Sequence, residues 1–262
     1  MAELVDYTPF DRPEISQMMF YPQRVWSPAP EGASDHAIPV ADGVTISARF
    51  YPRDAQSPSI LFFHGNGEIA CQYDDIAPMY NQVGANFFAA DFRGYGLSGG
   101  APSFSAMISD SSVVYEYFRD FLAFNGYSGP RFVKGRSLGC HSAVEVAARY
   151  GSELKGFISE SGSAAAERMA SRWGLSLDSP DMQETLRLHR EKVASISLPF
   201  LVIHGEWDDL VPVESAIDLY DSVGSEDKGM ELIQKAGHND LMWMGRDQYF
   251  AAVGKFLAAH GG

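Results

Sequence analysis

The chain has 262 residues, of which 45 % are hydrophobic and 21 % charged, a composition typical of one large globular domain. Acidic residues outnumber basic residues by 34 to 20, which gives a formal net charge of -14. Nucleic acids and anionic membranes bind positively charged surfaces, so this balance argues against either as the main partner.

Residues 1–35 are rich in proline and are expected to form an extended lead-in segment before a single domain at 36–262. Met1–Phe20 carries charges and prolines, with no apolar run typical of a signal peptide, and no stretch is long enough to cross a bilayer. We therefore expect a cytoplasmic protein. Cys71 and Cys140 form neither a disulfide framework nor a zinc-binding pattern, and no metal is expected.

Strand-like and helix-like segments alternate along the chain, which predicts an α/β fold with a mostly parallel sheet covered by helices. His36–Val40 and Val44–Tyr51 flank Asp42-Gly43 and are predicted to form an antiparallel hairpin at the sheet edge. Apolar runs typical of buried strands follow at 60–63, 86–90, 131–134, 154–159, 200–204 and 230–234. Helices are predicted at 105–124, 138–150, 213–223 and 245–259. Amphipathic stretches without a strand predict a small helical lid at about 162–195.

Two serines lie in Gly-x-Ser-x-Gly patterns, Ser137 and Ser98. This pattern indicates a nucleophile only where a strand enters the turn and a helix leaves it. The run 131–134 supplies such a strand before Ser137, and 138–150 supplies the helix after it. Ser98 is followed by Gly-Gly-Ala-Pro, which cannot begin a helix of that kind. Ser137 is therefore the predicted nucleophile, and Ser98 is interpreted as a turn residue in a glycine-rich loop.

A serine hydroxyl needs a base to accept its proton, and the base needs a partner that orients it. His238 follows the last predicted strand and is the predicted base. Asp208 follows the strand at 200–204 and is the predicted orienting acid, with Asp209 and Glu206 as alternatives in the same loop. All three predicted groups follow strand ends, which places them at one edge of a parallel sheet.

Acyl transfer also needs donors for the oxyanion of the tetrahedral intermediate. One expected donor is the backbone N–H of Leu138, directly after the nucleophile. The other is expected from His64-Gly65-Asn66-Gly67, with Asn66 as first candidate and Gly67 as second. Gly67 is also a substrate-binding candidate, because a glycine lets the backbone approach a ligand. Further substrate-binding candidates are Trp173, Met242 and Trp243, although ordinary core or lid packing is the favoured interpretation of each.

Four segments in this order resemble the α/β-hydrolase superfamily: His64–Gly67, Asp91–Ser98, Gly135–Gly139, and Asp208–Pro212 together with Gly237-His238. Within it, the chain is similar to short-lidded α/β-hydrolase-domain serine hydrolases of a depalmitoylase- or esterase-like branch. The resemblance covers roughly residues 36–260. It implies an eight-stranded, mostly parallel sheet flanked by helices, no cofactor, and a site-shaping role for Asp91–Ser98. Depalmitoylase-like relatives carry an N-terminal cysteine cluster for membrane anchoring, which this sequence does not show, so anchoring is not carried over.

The expected activity is hydrolysis of a small-molecule ester, thioester or other acyl substrate through an acyl-enzyme on Ser137. A peptidase or amidase with the same triad is one alternative. A ligand-binding receptor with little turnover is another, because a fold does not determine a function. The oligomeric state is left open by the sequence.

Overall fold

The computed structural model describes residues 5–261. Its strands are β1 (Ser34–Ala41), β2 (Val44–Tyr51), β3 (Ser59–Phe63), β4 (Asn86–Ala90), β5 (Arg131–Arg136), β6 (Gly156–Glu160), β7 (Phe200–Gly205) and β8 (Lys228–Ile233). Its helices are α1 (Pro13–Met19), α2 (Ala77–Gln82), α3 (Phe104–Phe124), α4 (Gly139–Tyr150), α5 (Ala166–Arg172), α6 (Pro180–Ala194), α7 (Val213–Ser222), α8 (Leu241–Met244) and α9 (Arg246–His260). Short 3-10 helices lie at Thr8–Phe10, Ala70–Tyr73 and Gly151–Glu153. No helix among these residues is long and apolar enough to cross a membrane.

The eight strands form one sheet in the order β1-β2-β4-β3-β5-β6-β7-β8. β1 and β2 form the predicted antiparallel hairpin, and β2 also pairs antiparallel with β4. All remaining neighbours are parallel. The predicted fold class, an eight-stranded and mostly parallel sheet flanked by helices, is therefore confirmed.

Side chains alternate between the two faces of the central strands, and each face carries its own core. Phe88 of β4 points to the side of α3 and lies 5.4 Å from Phe118, ring centre to ring centre. The preceding residue, Phe87, points to the side of α2 and stacks on Tyr80 at 4.2 Å. Because both faces are covered by helices, the central strands are apolar without interruption rather than alternating.

The segment before the sheet is less extended than the sequence indicates. Within residues 5–33 the chain forms a 3-10 turn and α1, and the side chains of Tyr7, Phe10 and Phe20 are buried. Phe10 packs against Phe104 at the start of α3, with ring centres 5.1 Å apart. These apolar side chains stabilise the segment on the domain, an effect that proline content does not reveal. Residues 1–4 of the predicted lead-in lie outside the described residues.

The parallel arrangement also positions the loops that carry the predicted functional groups. β3, β5, β7 and β8 run in the same direction, so the loops that follow them emerge at one edge of the sheet. Between β6 and β7, where a lid is predicted, the chain forms α5 and α6.

Candidate active site

Ser137 lies in a sharp turn between β5 and α4, with a backbone φ of 49°. This left-handed conformation is unfavourable for serine and is typical of a nucleophile turn. The two flanking positions have no room for a side chain. A Cβ on Gly135 would lie 2.6 Å from the Cα of Cys140. A Cβ on Gly139 would lie 2.2 Å from the carbonyl oxygen of Phe63. The Gly-x-Ser-x-Gly pattern therefore has a steric cause in this fold.

The structure brings Ser137, His238 and Asp208 together. Ser137 Oγ lies 2.9 Å from His238 Nε2, and His238 Nδ1 lies 2.7 Å from Asp208 Oδ2. An ionised carboxylate only accepts, so His238 donates from Nδ1 and offers the lone pair of Nε2 to the serine hydroxyl. Both His238 and Asp208 are buried, which protects this chain of hydrogen bonds from competing water.

The Asp208 carboxylate is held in its charged form. Burial raises its pKa, but hydrogen bonds from His238 and from the Val211 backbone N–H outweigh burial and leave the pKa below its usual range. Its Oδ1 accepts from the backbone N–H groups of Leu210 at 3.0 Å and Val211 at 2.8 Å. The carboxylate therefore has a fixed orientation towards the histidine.

The two alternative acids of this loop point elsewhere. Glu206 accepts a hydrogen bond from the backbone N–H of Lys235 at 3.1 Å, and Asp209 is exposed. Asp208 is thus the acid that the structure places against His238. Its burial separates it from its neighbour Asp209, a difference that the sequence does not encode in any local pattern.

His204 is a second histidine at the orienting acid. Its Nε2 lies 2.8 Å from the carbonyl oxygen of Val211 and 3.3 Å from Asp208 Oδ2. No motif in the sequence indicated the contact of His204 with Asp208. The available signal was its position at the end of a strand, four residues before the acid.

Leu138 and Asn66 both line the cavity beside Ser137, and their backbone N–H groups have no acceptor among the described residues. The Asn66 side chain, in contrast, is engaged: its Nδ2 donates to Met19 O at 2.6 Å, and its Oδ1 accepts from Tyr95 Oη at 2.7 Å. The backbone, and not the side chain, is therefore the group of Asn66 that is available to an oxyanion.

The cavity at Ser137 has a volume of about 330 Å³. It is lined by Met19, Tyr21, Asn66, Ser137, Leu138, His141, Ser163, Ala165, Arg168, Met169, Arg172, Trp173, Leu210, Val211, Pro212 and Ser215. Met19 and Tyr21 come from the N-terminal segment, a contribution that no motif in residues 1–35 indicates.

The predicted substrate-binding residues do not lie together in one cavity. Trp173 lines the Ser137 cavity, whereas Met242 lines another cavity of about 250 Å³ beside His238. Trp243 is 84 % exposed, and the structure does not bring it to either cavity. Gly67 follows Asn66 with a φ of 77°, a conformation that favours glycine. Short α8 turns Trp243 outward, so its apolar character does not predict its position.

Arg136, the residue before Ser137, contacts the loop that carries the base. Its guanidinium donates to the backbone carbonyl of His238 at 3.0 Å and to Asn239 Oδ1 at 2.9 Å. Its Nε lies 3.2 Å from Glu160 Oε1 at the end of β6. Sequence reasoning missed this residue, because the variable position of a Gly-x-Ser-x-Gly pattern carries no expectation of its own.

Arg136 also reaches the loop after β3 through Glu68. The two side chains form an ion pair, and Glu68 Oε2 accepts from the Gly65 backbone N–H at 2.8 Å. Burial lowers the pKa of Arg136, but Glu68 and its other partners raise it above its usual range. One buried guanidinium thus joins the loops that carry Ser137, His238 and the Asn66 N–H.

Asp91–Ser98 forms a hydrogen-bonded support next to the site. Asp91 accepts from the Ala70 backbone N–H at 2.7 Å and from Ser47 Oγ at 2.5 Å. Ser98 is buried, and its Oγ accepts from the Ser47 backbone N–H at 2.9 Å. Ser98 lies in this network and does not line the Ser137 cavity. Within the described residues no cluster of His, Cys, Asp or Glu is arranged to hold a metal ion.

The sheet topology, together with the turn at Ser137, defines the α/β-hydrolase fold. The chain belongs to the family described as "Serine aminopeptidase, S33". The model of this family matches residues 54–179 and 168–242. The predicted resemblance to the α/β-hydrolase superfamily is therefore confirmed.

Two curated relatives each match about three quarters of the chain. The chain is 28 % identical over 205 residues to "Protein bem46" of Schizosaccharomyces pombe, covering 77 % of this chain and 67 % of that protein. It is 26 % identical over 212 residues to "Alpha/beta hydrolase domain-containing protein 17B" of Homo sapiens, covering 76 % and 66 %. The chain thus spans about two thirds of the length of these relatives.

Solved structures share the fold at low sequence identity. The esterase Pf2001 of Pyrococcus furiosus superposes with a TM-score of 0.73 at 21 % identity, over 92 % of this chain and 99 % of that one. Est1E of Butyrivibrio proteoclasticus, solved with ferulic acid bound, has a TM-score of 0.70 at 19 % identity, over 86 % and 98 %. At these identities the similarity establishes the fold.

Proposed function

We propose that the protein is a serine hydrolase that cleaves a carboxylic ester or thioester through an acyl-enzyme. The observation that carries this proposal is the continuous hydrogen-bonded chain from Ser137 Oγ through His238 to Asp208. The two unpaired backbone N–H groups at the same cavity supply the hydrogen-bond donors that an oxyanion needs.

In the first half-reaction, Ser137 Oγ attacks the carbonyl carbon of the substrate while His238 Nε2 accepts the hydroxyl proton. The carbonyl oxygen becomes negatively charged and is stabilised by the N–H groups of Leu138 and Asn66. The intermediate collapses as the bond to the leaving oxygen or sulfur breaks, and His238 returns the proton to that atom. Asp208 stabilises the imidazolium in between.

In the second half-reaction, a water molecule attacks the acyl-enzyme and gives a proton to His238. The second tetrahedral intermediate collapses with cleavage of the bond to Ser137 Oγ. The proton returns to the serine, and a carboxylic acid leaves. Every proton is balanced within the triad and water, so the reaction requires no cofactor.

The size of the cavity supports a substrate of modest length. At about 330 Å³ it lies near the lower end of ligand cavities, which span roughly 300–1,000 Å³. Met19, Leu138, Met169 and Trp173 make much of its wall apolar, which suits an acyl chain. Structural neighbours that are esterases, such as Pf2001 and Est1E, favour the same reaction class.

A panel of 4-nitrophenyl esters and acyl thioesters of graded chain length tests the proposal. We expect turnover that falls on the order of 10⁶-fold in Ser137→Ala. The matched control is Ser98→Ala, which removes the serine of the second Gly-x-Ser-x-Gly pattern and should lower turnover far less, because Ser98 supports the site without lining the cavity. Substantial residual turnover in Ser137→Ala would reject Ser137 as the nucleophile.

The family description makes a peptidase with the same triad the second candidate. Aminoacyl 4-nitroanilides, run beside the matching esters, separate the two, because the anilide has the poorer leaving group. Anilide turnover comparable to ester turnover would favour the peptidase. Very slow labelling of Ser137 by a fluorophosphonate would instead favour a ligand receptor on the same fold.

A further inference from the structure

The charge of the Ser137 cavity differs in sign from that of the whole chain. The protein carries a formal net charge of -14, yet the cavity lining contains two arginines, Arg168 and Arg172. No aspartate or glutamate is part of that lining, as far as residues 5–261 define it. A cavity with low-dielectric walls and a charge of one sign attracts ligands of the opposite charge.

The two arginines differ in how far their charge is already compensated. Arg168 forms an ion pair with Asp218 and also donates to Ser215 Oγ at 3.0 Å. Arg172 donates to the backbone carbonyl of Leu210 at 3.3 Å and has no carboxylate within 4.0 Å among residues 5–261. A guanidinium has five N–H donors in a planar fork, so Arg172 keeps donors available for a ligand.

The positive charge at the cavity does not depend on pH near neutrality. Arginine remains protonated throughout the accessible range. His141 also lines the cavity, but burial and the neighbouring His189 lower its pKa to about 3, so it is neutral there. The arginines are thus the source of positive charge in the lining.

We infer that Arg172 binds a carboxylate carried by the substrate, and that the preferred substrates are esters or thioesters with this negative charge on the part that occupies the cavity. The inference rests on the proposed function for the reaction, and on the uncompensated guanidinium for the charge. Arginine pairs with carboxylates through two parallel N–H···O bonds, which gives orientation as well as affinity. Trp173, next in the chain, supplies apolar wall beside the charge.

A purely structural role for Arg172 is the alternative. It lies in the last turn of α5, where a cation interacts favourably with the helix dipole, and its bond to Leu210 links the lid to the loop of the orienting acid. A structural role predicts equal effects on charged and neutral substrates. Recognition of a carboxylate predicts an effect on the charged substrate alone.

The experiment compares the 4-nitrophenyl monoester of glutaric acid with 4-nitrophenyl 5-methylhexanoate, which replaces the carboxylate by an isopropyl group of the same shape. We expect wild type to prefer the glutarate ester in kcat/KM. Arg172→Gln should lower kcat/KM for that ester by roughly 10- to 100-fold, the range for a lost hydrogen bond to a charged group, and leave the neutral ester unchanged.

Arg187→Gln is the matched control. Arg187 lies on α6, pairs with Glu184 and Glu191, and does not line the cavity. Arg187→Gln also removes one positive charge from the lid, so a general electrostatic effect would appear in both variants. An equal loss on both esters in Arg172→Gln, an equal loss on the glutarate ester in Arg187→Gln, or a wild-type preference for the neutral ester would overturn the inference.

Binding to a Ser137→Ala background separates this inference from the proposed function. Calorimetry would measure binding of glutaric acid monoanilide and of 5-methylhexananilide, with and without Arg172→Gln. A preference for the glutarate compound that disappears with Arg172→Gln supports carboxylate recognition even if wild type hydrolyses no ester. Absence of that preference overturns the inference even if neutral esters are hydrolysed.

Discussion

Arg136 donates a hydrogen bond of 3.0 Å to the backbone carbonyl oxygen of His238. The residue directly before Ser137 therefore holds the loop that carries His238. The same guanidinium forms an ion pair with Glu68, which binds the Gly65 N–H in the loop of Asn66. The relative positions of the three loops thus depend on one side chain.

Replacing Arg136 by lysine tests whether its role depends on the positive charge alone or also on the shape of the guanidinium. A lysine keeps the positive charge near Glu68 and Glu160, but its point-like ammonium cannot contact three loops at once. We expect kcat to fall roughly 10- to 100-fold with little change in KM, because a small displacement of the base carries a penalty of that size. Steady-state kinetics on one 4-nitrophenyl ester measures both constants.

Arg136→Gln is the companion variant. It leaves the buried Glu160 and the half-buried Glu68 with one cation fewer and should reduce the free energy of unfolding by about 3–5 kcal/mol. Urea denaturation of both variants shows whether lost activity follows lost stability. A lysine variant with wild-type kcat would show that the hydrogen bond to His238 O is not needed for positioning.

Asp208→Asn should reduce kcat by about 10⁴-fold, because the amide favours the wrong tautomer of His238. Asp209→Asn is the matched control, since Asp209 is the exposed neighbour in the same loop and should be close to wild type. Kinetics of the two variants on the same ester decide the assignment. A larger loss in Asp209→Asn would move the orienting role to that residue.

Asn66→Ala should have a small effect on catalysis and a larger one on stability. The backbone N–H remains in the variant, so we expect kcat to fall less than about 10-fold, against roughly 10²–10³-fold for a lost oxyanion donor. The side-chain bonds to Met19 and Tyr95 disappear, which should destabilise the fold by about 1–3 kcal/mol. Kinetics and urea denaturation test both statements.

An exposed asparagine supplies the control for Asn66. Within residues 5–261 the Asn125 side chain bonds only to the carbonyl of Phe121 at the end of α3, and its replacement by alanine should change neither quantity appreciably. If Asn66→Ala remained as stable as wild type yet lost kcat by 10²-fold or more, the oxyanion donor would have to be the side chain.

His189 should make stability depend on pH. Its Nε2 donates to the Ala164 carbonyl at 2.7 Å, and its Nδ1 accepts from Tyr7 Oη at 2.7 Å. The neutral ring therefore makes one hydrogen bond with each nitrogen. Burial lowers its pKa to about 4. Between that value and about 6.5, the unfolded chain binds a proton that the folded chain does not, so stability falls as the pH falls.

The expected loss from this group between pH 6.5 and pH 4 is about 3 kcal/mol. Urea denaturation at pH 7.0, 5.5 and 4.5 measures it, with His189→Gln as the variant that keeps one donor and one acceptor without a titrating ring. The variant should show a smaller decline with acidification. Parallel declines in both proteins would assign the pH dependence to other groups.

Hydrophobic patterns predicted the ends of apolar strands well. They predicted the ends of strands that carry buried charge less well. The run at 131–134 was predicted to end before Arg136, and the strand at 154–159 before Glu160, yet both strands continue through these residues. Glu160 is paired with Lys134 and Arg136 in the interior. A pattern of single residues cannot show that two charges on neighbouring strands compensate each other.

Local information in the chain was sufficient for the eight strands in order, for the fold class and for the turn at Ser137, because a turn between a strand and a helix depends on neighbouring residues. Folding in three dimensions decided which acid reaches His238, that Arg136 joins three loops, and that Met19 and Arg172 line the cavity while Trp243 does not. These relationships link residues far apart in the chain. They depend on which loops emerge at the same sheet edge and which side of each backbone faces the interior.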